Sequence, residues 1–97
     1  MFTSKQRSTL RSIASTIEPI TQVGKLGINE NLLDSLDKAL EKRELIKITV
    51  LENSGYEAKE VSEILEEKLL CERVCVMGRK IVLYRRSSNS KIKHIEF

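Results

Sequence analysis

Tryptophan is absent from this 97-residue chain, proline and histidine occur once each, and cysteine twice. Each scarcity excludes something. With His94 as the only histidine, no Ser-His-Asp or Cys-His arrangement is suggested, and no pair of carboxylates stands out as an acid and a base. Cys71 and Cys75 fall short of the roughly four ligands that structural zinc wants, and C-x-x-x-C is not the redox spacing C-x-x-C. They are expected to be reduced and to pack as small hydrophobes. The phosphate-loop signature G-x-x-x-x-G-K-[ST] is missing. The reading is therefore not an enzyme, with no metal, no cofactor and no small-molecule substrate. No apolar run approaches the ~18–20 residues that span a bilayer. The opening MFTSKQRSTL is too polar for a signal peptide, so the expected compartment is the cytoplasm and no membrane partner is expected.

What is present describes one domain. A chain of this length buries roughly 60–65% of its unfolded surface, enough for one sheet-and-helix core but not for a deep substrate cavity. Hydrophobic residues make up 40% and charged residues 32%, a balance typical of globular proteins. The net charge of +3 conceals a segregation. Residues 1–27 carry Lys5, Arg7, Arg11 and Lys25 against Glu18 alone, and residues 73–97 are likewise basic. The stretch between them is acidic. If folding gathers the basic segments, the molecule has a basic face and an acidic back.

Taken in order, Thr3 and Gln6 fit a capping box, and Leu10, Ile13, Ala14 and Ile17 form one apolar stripe, so residues 4–17 read as a helix. Pro19 ends it. A short strand over residues 20–23 leads through Gly24-Lys25-Leu26-Gly27 into a helix over residues 30–43, with Asn29 as N-cap and charges suited to the dipole at both ends. Residues 45–51 form a β-branched strand with Ile46, Ile48 and Val50 on an apolar face and a mixed second face. Asn53-Ser54-Gly55 turns the chain into an acidic amphipathic helix over residues 58–70. Strands at 74–77 and 81–85 flank Gly78-Arg79, which suits a type II′ hairpin presenting Arg79 and Lys80. Tyr84 shares a face with Val82 and is expected in the core. Residues 1–86 form the domain, and residues 87–97 read as a loose basic tail. The order is α-β-α-β-α-β-β, an α+β fold with a four-stranded mixed sheet and three helices. Both β-α-β crossovers are expected to be right-handed.

The Gly24–Gly27 loop carries the chemistry. Glycines there let another backbone come close, the following helix N-terminus favours an anion, and Lys25 adds a full charge at the tip. A simple strand-to-helix turn explains the glycines equally well at this point.

Four motifs in order carry a resemblance. They are Lys5-Gln6-Arg7-(x3)-Arg11, Pro19-(x4)-Gly24-Lys25-Leu26-Gly27, Ala39-Leu40-(x3)-Glu44-Leu45-Ile46-Lys47 and Val76-Met77-Gly78-Arg79-Lys80-(x2)-Leu83-Tyr84-Arg85. Over residues 4–86 the chain resembles the YhbY family, the single-domain bacterial members of the CRM group. The one departure is Arg43, where the family usually has histidine. The resemblance implies a fold similar to the C-terminal domain of translation initiation factor three, with a KH-like G-x-x-G loop. It further implies RNA as partner, in particular ribosomal RNA in precursors of the large ribosomal subunit. Carried over by position, the binding residues are Gly24, Lys25, Leu26 and Gly27, surrounded by Lys5, Arg7, Arg11, Arg79, Lys80 and Arg85. With so few aromatics, binding is expected to rest on charge and shape, by a monomer. The alternative is a protein-interaction module that contacts ribosomal proteins without touching RNA.

Overall fold

The computed structural model describes residues 2–89, 91, 92 and 94–96. Helix α1 spans Ser4–Ala14 and opens with the expected capping box, Thr3 Oγ1 accepting from Gln6 N and Gln6 Oε1 from Thr3 N. It stops three residues earlier than its apolar stripe. The Ser15 and Thr16 hydroxyls bond to the carbonyls of Ser12 and Ile13, and Thr16 and Ile17 close tighter i→i+3 backbone bonds, which unwinds the last turn ahead of Pro19. Strand β1 (Thr21–Val23) follows, then α2 (Glu30–Arg43) with Asn29 capping Leu32 N. Next come β2 (Leu45–Val50), a 3-10 turn at Glu52–Ser54, α3 (Ala58–Leu69), β3 (Glu72–Met77) and β4 (Lys80–Tyr84).

The sheet order is β1-β2-β4-β3. Strands β1 and β2 run parallel, and β4 is antiparallel to both of its neighbours. The two crossovers move in the same direction across the sheet and both lay their helix on one face, so they share one hand. Between them α2 and α3 bury Ile46, Ile48, Val50, Ile81 and Leu83 with Leu36, Leu40, Val61 and Leu65, the main core. Cys71 belongs to this cluster, where burial pushes its thiol up to about 11, so it stays protonated and packs as the expected small hydrophobe.

Helix α1 crosses the second face. Leu10 and Ala14 pack on Leu45, Val74, Val82 and Tyr84, with Phe2 meeting the Tyr84 ring edge-on at 5.5 Å. Tyr84 is thus a core residue, as its alternation with Val82 implies. A bulge between Arg73 and Cys75 brings β3 back into register, and the two-residue hairpin turn puts Gly78 at φ +60 with Arg79 at negative φ, as a type II′ turn requires.

The tail is not loose where it is described. Glu44, at the C-cap of α2, is fully buried with φ +65. Its N–H donates to Leu40 O and its O accepts from Arg85 N. A carboxylate sealed in this way must find donors, and the tail supplies them: Ser87 N and Ile95 N at 2.7 Å each, and the His94 ring at Nδ1. Sequence patterning missed this because the binding partner of a polar tail is set by a buried acid some fifty residues away.

Burial by itself raises the Glu44 carboxyl, but the bonds from His94, Ser87 and Ile95 prevail and hold it below its ordinary value of 4.5. The stability it contributes is therefore complete above that value and is lost as pH falls through the lowered folded one. Glu44→Gln should cost about 1–3 kcal/mol at neutral pH. It should also flatten the acid limb of a urea-denaturation stability profile; an unchanged limb would show that the latch contributes nothing.

Candidate nucleic-acid interface

The Gly24–Gly27 loop is a hydrogen-bonded turn, with Gly27 N donating to Gly24 O at 2.9 Å. Its tip holds Lys25, exposed, and Leu26, 85% exposed. The two glycines are held differently. Gly27 sits at φ +67, and a Cβ there would lie 3.2 Å from Tyr56 Cε2. Gly24 has no positive φ, and a Cβ would rest at an ordinary 3.6 Å from Leu51 Cδ1. Folding therefore demands glycine at 27 but not at 24.

The loop leans on residues 51–56. Leu51 N donates to Val23 O at 2.9 Å, continuing the β1–β2 ladder past its last pair. Arg79 fastens this segment from the hairpin. Its Nη2 reaches Leu51 O at 2.9 Å and Tyr56 O at 3.0 Å, Nε donates to Val50 O, and its own carbonyl accepts from Val50 N at 2.7 Å. The side chain expected at an exposed hairpin tip is thus a half-buried brace. Lys80, beside it, is exposed.

Among the described residues, Lys25 and Lys80 have no side-chain partner. They mark one end of the sheet, where Val23 pairs with Val50 and Thr49 with Lys80.

The other cations expected around the loop lie elsewhere. Arg7 Nη1 donates to Arg73 O at 2.8 Å and Val74 O at 2.7 Å and its guanidinium lies 5.8 Å from the Phe2 ring centre, pinning α1 to the start of β3. Arg85 bonds Asp37 Oδ1 and Leu69 O at 2.8 Å each and Glu41 Oε1 at 3.4 Å, tying β4 to α2 and α3. Both sit at the end of the sheet where Leu45 pairs with Tyr84, opposite the loop. Lys5 and Arg11 are exposed on α1. The fold therefore joins Arg79 and Lys80 to Gly24–Gly27 and separates Arg7 and Arg85 from them. A carbonyl-rich surrounding for an arginine cannot be read from charge counts.

Residues 2–85 match the model of the CRS1 / YhbY (CRM) domain. The chain is 43% identical over 91 residues to Probable RNA-binding protein YqeI of Bacillus subtilis, covering 94% of this chain and 95% of that one. It is 28% identical over 92 residues to an RNA-binding protein of Haemophilus influenzae, covering 95% and 93%. The solution structure of a hypothetical protein from Staphylococcus aureus, put forward as RNA-binding, superposes with a TM-score of 0.73 at 45% identity, covering 94% of this chain and 95% of that one.

The glycine asymmetry is directly testable. Gly24→Ala should change unfolding free energy by less than about 1 kcal/mol. Gly27→Ala should cost about 1–3 kcal/mol, because it meets both the positive φ and the Tyr56 ring. Equal losses in denaturant titrations would refute the distinction.

Proposed function

The chain belongs to the CRS1 / YhbY (CRM) domain family, and from that premise we propose that it binds RNA at the end of the sheet where the Gly24–Gly27 loop meets the Gly78–Lys80 hairpin. The observation that carries this reading is the pairing of an exposed Lys25-Leu26 tip with a glycine at 24 that the fold does not require. A phosphodiester can then approach the backbone closely, while Lys25 and Lys80 supply charge without breaking any internal bond. The family and its RNA-binding relatives support RNA as the ligand. We take the target to be ribosomal RNA in precursors of the large subunit, and the role to be in ribosome assembly.

Mechanistically, the braced loop contributes position and affinity. Arg79 fixes the platform, so little ordering entropy is lost on binding. Each lysine that neutralises a phosphate releases counterions, so affinity falls with salt by a slope of about −0.7 per contact on a single strand. The acidic exposed residues of α3 lie on the side of the sheet that α2 and α3 cover.

The test is fluorescence-anisotropy titration of ribosomal RNA fragments at several salt concentrations, comparing wild type with a Lys25→Asp, Leu26→Asp variant shown to be folded by circular dichroism. The variant should lose most of its binding and show a flatter salt slope. Equal binding by both proteins would move the site away from the loop. Absence of binding by either would favour a protein partner.

A further inference from the structure

The second face of the sheet is covered unevenly. Three rows of paired residues cross it. The first, Leu45 and Tyr84, is buried beneath α1. In the second, Lys47 and Cys75 flank buried Val82 and are themselves half-buried, with Lys47 Nζ bonded to Ala14 O at 3.3 Å. The third runs across all four strands: Gln22 of β1 pairs with Thr49 of β2, Thr49 with Lys80 of β4, and Lys80 with Met77 of β3. Helix α1 does not reach it. Gln22, Lys80 and Met77 are exposed and Thr49 is half-exposed. Among the described residues none of these four side chains has a hydrogen-bond or ionic partner.

This row borders both parts of the candidate interface. Gln22 lies two residues before Gly24, and Lys80 closes the hairpin that Arg79 braces. Beside it, Pro19, Ile20, Thr21, Gln22 and Thr49 line an open groove of about 580 Å³. The row contains no acid.

We propose that this uncovered row is a base-contacting strip for unpaired RNA nucleotides, a reading that rests on the proposed RNA-binding function. The chemistry is that of base edges. Gln22 offers a paired donor and acceptor, Thr49 a hydroxyl, and Met77 an apolar, polarizable surface for a base face. Lys80 takes the adjoining phosphate. Four strands at ~4.8 Å spacing make the strip about 14 Å wide. A four-stranded sheet elsewhere holds two or three bases at this width by aromatic stacking. Here Phe2 and Tyr84 lie under α1, so hydrogen bonding and methionine contact replace stacking. Duplex RNA keeps its Watson–Crick edges paired and its base faces stacked, and the ligand class is therefore a single-stranded segment or an open loop.

The experiment compares wild type, Gln22→Ala with Thr49→Val, and the Lys25→Asp, Leu26→Asp variant. Each is titrated with short uracil-only, cytosine-only and adenine-only RNA strands and with an RNA duplex at fixed salt, and then over a salt series. The strip variant should lose about tenfold on at least one single strand, keep its duplex binding, and keep the wild-type salt slope, since it removes no phosphate contact. Wild-type affinity for every single strand would overturn the proposal, as would a loss accompanied by a flatter slope. In either case the RNA-binding reading stands as long as the loop variant still loses binding. Should the strip variant not fold, the Thr49 and Met77 methyl signals of wild-type protein decide: they shift on titration with a single strand if the strip is occupied, and stay fixed if it is not.

Discussion

Arg79 is the constraint on which the candidate interface depends. A two-residue hairpin would ordinarily leave its side chains to solvent. Here the guanidinium turns back and gathers the carbonyls of Val50, the last residue of β2, and of Leu51 and Tyr56 in the irregular stretch that follows it. Tyr56 in turn stands against Gly27, and Leu51 against Gly24. One planar, permanently charged group thereby couples the hairpin, the 3-10 turn and the glycine loop. Lysine cannot substitute, because a point ammonium lacks the fork that reaches separate carbonyls together.

A second anchor works at the other end. Glu44 holds a strained backbone angle at the end of α2 and a buried charge, and both persist because the surroundings supply enough donors. Arg85 and the described tail residues meet the same helix end, so that region is committed to internal bonds. The division of labour is physical. Arg7 and Arg85 at the Leu45–Tyr84 end are consumed in holding the domain together, while Lys25 and Lys80 at the other end are exposed and, among the described residues, make no side-chain bond.

Much of the fold was legible because it rests on local patterns. Thr3 with Gln6, Asn29 before Glu30, the β-branched run from Leu45 to Val50, and Gly78 at the hairpin each have a short-range cause that needs no partner. The loop glycines were legible as a loop, but not their separate duties: Gly27 answers to Tyr56, far along the chain. The arginines misled for a similar reason. Charge counts treat Arg7, Arg79 and Arg85 alike, yet each is claimed by carbonyls exposed only once a strand edge, a helix end or an irregular turn is in place.

The amino-acid sequence by itself determined the elements, their order, the apolar face of each helix and the packing of Cys71 as a small hydrophobe, since all follow from side-chain period and polarity along the chain. Tertiary structure decided which cations stay free, how far α1 reaches across the sheet, and that Gln22, Thr49, Lys80 and Met77 stand in one row. Those are questions of register and coverage between segments distant in the chain. A shift of one residue in any pairing would turn that row to the other face.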